Sequence, residues 1–177
     1  MSNPGREVYL EGYPSAILCL SLGQLVLSYA LGAFILYRLQ ALLGTSYLIL
    51  CAASLVVGLK YRCRFCWYFG RRCYAGLGRL AKLMFQPGDP QEFRRPENLV
   101  PAAIFSFTVL LLPLMVIFVI SVTGFSWLNL GLLLSYAPIA VVPGFVLRKN
   151  LFCDHCKQAE LGCPAYEGMQ GKHGIKT

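Results

Sequence analysis

The sequence predicts an all-α polytopic membrane protein: four transmembrane helices forming two tandem helical hairpins, each followed by a cytoplasmic cysteine segment. Three observations carry that prediction. Of 177 residues, 56% are apolar and only 14% charged, against about a quarter charged in an ordinary soluble domain. Four stretches, 15–37, 39–59, 99–121 and 126–147, contain no Asp, Glu, Lys, Arg or His. A Cys-x2-Cys-x6-Cys triplet occurs twice, at Cys63, Cys66 and Cys73 and again at Cys153, Cys156 and Cys163.

The first stretch, 15–37, exceeds the ~20 apolar residues that a helix needs to cross the hydrocarbon core. A cleaved signal peptide is the competing reading. It fails because the stretch is too long and no small-residue cleavage motif stands near Tyr37. Arg38 interrupts the apolar run only briefly, so 15–59 reads as one tight hairpin. The third and fourth stretches form the second hairpin, 99–147, turning around residues 123–125. Pro113 lies inside the third stretch, and Pro138 and Pro143 inside the fourth. Prolines are tolerated in lipid as kinks, provided the backbone groups they free find partners.

Orientation follows from the basic residues. With four spans, the N-terminus, the 60–98 loop and the C-terminal tail share one side. Of 16 Lys and Arg, all but Arg38 fall there, which places that side in the cytoplasm. The +8 charge is thus accounted for by topology. Contact with anionic lipid is a second use of it, and no nucleic-acid partner is expected. The expected partners are the lipid bilayer and either a protein at the cytoplasmic face or a second copy of the chain.

The triplets reveal a repeat. Each member of the second lies 90 positions after its counterpart in the first (63 to 153, 66 to 156, 73 to 163). The chain therefore divides into two units, 1–88 (hairpin 15–59, cysteine loop 60–88) and 89–177 (hairpin 99–147, cysteine tail 148–177). Each unit has an even number of spans, so both insert the same way up, related by an axis along the membrane normal. Both triplets then belong to one face, a few residues from the bilayer. Cys19 and Cys51 lie within spans and behave as small apolar residues.

Cytoplasmic thiols stay reduced, which disfavours a disulfide framework, and Cys-x2-Cys pairs there hold metal or exchange disulfides. Iron–sulfur ligation is the first reading, since thiolates hold such clusters and Cys163-Pro164 supplies the Cys-Pro step seen in ferredoxins. Each triplet offers three ligands where a four-iron cluster takes four. His155 is a candidate fourth, although Phe65 stands at the matching position, and His173 is a weaker one. Structural zinc is the alternative. The spacing resembles the binuclear zinc cluster of fungal transcription factors, in which six thiolates hold two metals by sharing sulfurs. The membrane hairpin between the triplets means that neither that family's fold nor its DNA binding carries over. Thiol–disulfide exchange is third. Four spans with cysteine pairs resemble the membrane quinone reductases of disulfide formation, but here the pairs follow spans two and four, not one and three. Either metal centre would serve an integral membrane protein with no signature of catalysis of its own: an electron-transfer subunit if iron–sulfur, a scaffold if zinc.

The first triplet is strongly basic. Lys60, Arg62, Arg64, Arg71, Arg72, Arg79 and Lys82 surround it, and no acid occurs between Gly12 and Gly88. Such cations are expected either to lower thiol pKa values or, equally, to snorkel to lipid headgroups. Phe65, Trp67, Tyr68, Phe69 and Tyr74 are expected to anchor this loop at the membrane interface. Leu77, Leu80, Lys82, Leu83, Met84 and Phe85 predict a short basic interfacial helix ended by Pro87-Gly88-Asp89-Pro90. Gly76-Leu77-Gly78 reads as a turn. Small pairs at four-residue spacing, Ser28/Gly32, Ser54/Gly58 and Gly131/Ser135, predict close helix packing, within the chain or in a dimer. The spans contain no charge and no histidine, which argues against a proton relay or a bis-histidine haem.

Overall fold

A computed structural model describes residues 9, 11–124, 126–142 and 151–169. Among them it is all-helical, with one isolated bridge between Gly12 and Arg72. Three long apolar helices, α1 (Ser15–Leu39), α2 (Ala41–Tyr61) and α4 (Pro96–Thr123), and a shorter apolar one, α5 (Trp127–Val142), are joined to the short helices α3 (Leu77–Met84), α6 (Lys157–Glu160) and α7 (Pro164–Met169). Helices α1, α2 and α4 are long and apolar enough to cross a membrane. Helix α5 is equally apolar, but its 16 described residues reach only about 24 Å. The rest of the expected fourth span lies outside the described residues.

The break between α1 and α2 falls at Gln40, two residues beyond the expected Arg38. Gln40 is extended (φ −160°, ψ 132°). Its N–H closes α1 on Leu36 O, and its carbonyl accepts the N–H of Leu43 and Gly44 to open α2. One residue therefore serves both orphaned helix ends. Tyr37 lies against Gly44 and Tyr47 against Gly32, a falling register that makes the two helices antiparallel. At Gly32 a Cβ would come within 3.0 Å of both the Tyr47 ring and Pro113, so α1, α2 and α4 meet where only glycine fits. Of the three small pairs, Ser28/Gly32 sits in this junction. Beside Gly58 and Gly131 there is open space, although Ser54 of the second pair is buried.

Helix α4 begins at Pro96, with Glu97 in the first turn where the helix dipole favours an acid. Pro113 is buried within it. Proline has no N–H, so Pro113 leaves the carbonyl four residues earlier, Val109 O, without its helical donor. The Tyr47 hydroxyl of α2 donates to that oxygen at 3.0 Å. From the other side Tyr136 of α5 donates to the next carbonyl, Leu110 O, at 3.1 Å. Pro113 and Tyr47 are thus one device at Val109 O, which supplies in an apolar surrounding what water cannot.

Helices α1 and α4 pack on each other, and each also packs on both α2 and α5. Two apolar clusters fill the bundle. One joins Ala33, Leu36, Tyr47, Cys51 and Val109; the other joins Ile35, Ile117, Tyr136 and Ala140. Cys51 is buried in the first, and Cys19 faces outward from α1.

Candidate functional site

Both cysteine segments lie at one end of the bundle and pack into a single cluster with the residues leading into α1. Their local folds match. Cys66 and Cys156 adopt nearly the same extended conformation (φ −86°, ψ 143° and φ −92°, ψ 122°). Cys66 N–H donates to Cys63 O, and Cys156 N–H to Cys153 O. Phe69 N–H then reaches Cys66 O as Ala159 N–H reaches Cys156 O, and Gly76 N–H reaches Cys73 O as Tyr166 N–H reaches Cys163 O. Every one of these bonds recurs 90 positions on.

The two segments also grip each other reciprocally. Trp67 N–H donates to Gln158 Oε1 at 2.8 Å, and Lys157 N–H donates to Tyr68 Oη at 3.1 Å. Residues 67 and 157 correspond in the repeat, as do 68 and 158. Each accepting side chain in turn donates toward the lead-in of its own unit. Tyr68 Oη gives its proton to Tyr9 O at 2.8 Å, and Gln158 Nε2 donates to Pro90 O at 3.3 Å. Tyr9 and Pro90 each stand six positions before a helix start, Ser15 and Pro96. Tyr13, buried, adds a third tie: its N–H bonds Arg72 O and its hydroxyl donates to Phe152 O at 2.6 Å. At the periphery Arg94 pairs with Glu167 at 2.9 Å.

Backbone N–H groups act on the thiols: that of Tyr68 favours the charged form of Cys66, and those of Ala159 and Gln158 favour that of Cys156. Gly78 N–H donates to Cys73 Sγ at 3.3 Å. That last bond requires glycine, because a Cβ on Gly78 would stand 2.3 Å from Tyr68 O and 2.7 Å from Arg71 O. Gly76, left-handed at φ 71°, caps the start of α3. The Gly-Leu-Gly stretch is therefore a tight packing element that brings α3 against the cysteine loop.

Burial dominates the thiol chemistry. It pushes Cys63 up to about 12, with neighbouring Cys73 adding to the rise and the Arg62 guanidinium opposing it. Burial also raises Cys66, against the pull of the Tyr68 N–H, and nearby Cys156, Cys63 and Cys73 raise it further. Cys156 is raised by burial too, opposed by the N–H groups of Ala159 and Gln158 and by Tyr13. The expectation that the surrounding cations lower these pKa values is thus corrected for Cys63, Cys66 and Cys156. The cations point outward or lie over rings, as Arg64 does on Phe65 and Arg71 on Trp67, while desolvation acts on the sulfur directly.

The first triplet and Cys156 are electrostatic neighbours, and Cys163 lies near Cys156 and Cys153 near Tyr13. Among the described residues, no three His, Cys, Asp or Glu side chains close on a single metal position. The ring of His155 lies against that of Tyr9 at 5.0 Å, and its carbonyl accepts the Tyr9 N–H; His173 is outside the described residues. Tyr68 is buried inside the cluster and Phe65 is buried against Gly88, so neither serves as an interface anchor. Sequence reasoning missed Tyr13, Tyr68, Phe152 and Gln158 as the ties of this site. No family model, curated protein or solved structure matches the chain.

Proposed function

We infer that this chain is a four-span membrane protein, two tandem hairpins with both termini and the 60–98 loop in the cytoplasm. In this reading it holds a cysteine-ligated metal centre at the membrane surface. Cys63, Cys66, Cys73, Cys153, Cys156 and Cys163 are the ligands. The centre is iron–sulfur and the protein is an electron-transfer subunit or relay.

One observation carries the reading: Gly78 N–H donates to Cys73 Sγ at 3.3 Å, and the N–H groups of Tyr68, Ala159 and Gln158 favour the deprotonated forms of Cys66 and Cys156. A neutral thiol is a weak acceptor. A metal-bound thiolate is a strong one, and hydrogen bonds to sulfur tune such centres. Bound metal also answers the burial problem, because coordination stabilises the deprotonated sulfur that burial disfavours. The group itself would supply one-electron chemistry; the chain supplies thiolates, N–H donors and a dry surrounding.

Structural zinc is the second reading, favoured by the reciprocal Trp67–Gln158 and Lys157–Tyr68 bonds. A metal at that seam would staple the loop to the tail and contribute folding free energy. Protein purified without oxygen separates the two. Iron–sulfur ligation gives brown colour, sulfide-to-metal absorption and an EPR signal in one redox state. Zinc gives a colourless, EPR-silent protein that loosens on chelation. Substituting Cys66 releases all the metal if the triplets share ligands, and part of it if they bind independently. Metal-free yet stably folded protein refutes both readings and leaves thiol exchange.

A further inference from the structure

Helix α3 continues the apolar surface of the bundle outside its long helices. Apart from α1, α2, α4 and α5, the exposed large apolar side chains among the described residues are Leu80, Leu83, Met84 and Leu161. Three of these four belong to α3, with Leu83 82% exposed. At about 100° per residue, Leu80, Leu83 and Met84 fall within one arc of about 100°. Gly78 and Ala81, both buried, occupy the arc that faces the protein. Arg79 and Lys82, both exposed, lie on the flank between. Neither has a carboxylate partner among the described residues.

The height of α3 is given by its neighbours. Its cap, Gly76, lies under the side chains of Leu18 and Leu22: a Cβ there would be 2.9 Å from Leu18 Cδ1 and 3.3 Å from Leu22 Cδ1. Leu18 and Leu22 stand in the first two turns of α1, about 5 and 10 Å along its axis from Ser15. The start of α3 is therefore level with the end of a helix apolar enough to cross a membrane. A side chain exposed at that level meets acyl chains and headgroups, and the flanking cations meet phosphate.

The geometry points to α3 as a binding site for anionic phospholipid, with Leu80, Leu83 and Met84 in the acyl boundary and Arg79 and Lys82 on the headgroup phosphate. This rests on the membrane reading of α1, α2 and α4 and is independent of any metal. Each cation within headgroup distance favours anionic lipid roughly fivefold.

The test places a photo-crosslinking p-benzoylphenylalanine at Leu83 in the full chain, reconstituted in vesicles of equal parts phosphatidylcholine and phosphatidylglycerol. The same probe at Phe107, exposed on α4, is the reference. The expected result is phospholipid adducts at both positions, with phosphatidylglycerol enriched several-fold at Leu83 alone. The enrichment should vanish in the R79E/K82E variant, whose altered side chains are exposed and leave the fold intact. Adducts at Leu83 to protein only, or to the two lipids in equal share, overturn the proposal. Lipid adducts at neither position overturn the membrane reading with it.

Discussion

Tyr68→Phe removes one oxygen from the seam between the cysteine segments. That oxygen accepts from Lys157 N–H at 3.1 Å and donates to Tyr9 O at 2.8 Å. The ring and its packing stay. Gln158→Leu does the corresponding thing on the other side, stripping the acceptor from Trp67 N–H and the donor from Pro90 O. Each change leaves one backbone donor in the seam without its partner, a cost of about 1–3 kcal/mol. If the seam opens as a unit, that cost multiplies its open population by about 5- to 150-fold. Alkylation of a protected thiol follows the open population when reclosing is fast. Mass-resolved iodoacetamide labelling of metal-free protein, kept reduced in micelles, should therefore accelerate at Cys66 and Cys156 together, by one factor, in either variant. Cys51, buried between α1 and α2, should not change. The reasoning fails if Tyr68→Phe speeds only Cys156 and Gln158→Leu only Cys66, since the two bonds would then be separate local contacts. It fails equally if Cys51 accelerates in step, because the whole bundle would then be opening.

In the bundle, Tyr47→Phe should destabilise by about 1–2 kcal/mol by orphaning Val109 O; in a Pro113→Ala background, where an N–H returns to that carbonyl, the same change should cost little, as read by denaturant titration in micelles. Equal costs in both backgrounds would sever the link between proline and tyrosine. At pH 8 the Cys63 thiol, at about 12 instead of 9.0, carries roughly a thousandth of the ordinary thiolate. A thiolate-absorbance titration of folded, metal-free protein, taken as the difference from Cys63→Ser, should show no ionisation of Cys63 near pH 9, and a step there would contradict its burial. For topology, an impermeant thiol reagent applied to whole cells should label Thr123→Cys and spare Gly171→Cys; the reverse pattern would invert the orientation.

Much of the scaffold was legible because lipid-compatible helices and repeated cysteines leave signals that need no tertiary information. Uncharged runs set where α1, α2 and α4 lie, although Gln40, not Arg38, ends α1. A long charged side chain can stay helical at a membrane edge by reaching outward, so charge marks the edge of the apolar run, not the end of the helix. Pro113 illustrates the boundary of what sequence offers. That Val109 O loses its donor follows from proline chemistry alone. That Tyr47 supplies the replacement depends on α2 running antiparallel to α1 in a register where Gly32 lets the ring approach.

The cysteine site divides the same way. Charge near a thiol is visible in a sequence and burial of that thiol is not, so counting arginines gave the wrong sign for Cys63, Cys66 and Cys156. The reciprocal ties are harder still to see, because positions 68 and 158 hold Tyr and Gln, which no comparison of residue type would pair. Their roles coincide because a phenol and a carboxamide share one property: each can accept at one point and donate at another. The position asks for that and little else, accepting from the opposite Cys-x2-Cys turn and donating to the lead-in of its own unit. A carboxylate could accept but not donate, a lysine could donate but not accept, and leucine could do neither. Two units whose residues differ can therefore close on each other with the same bonds, and the likeness between them resides in donors and acceptors that the residue letters conceal.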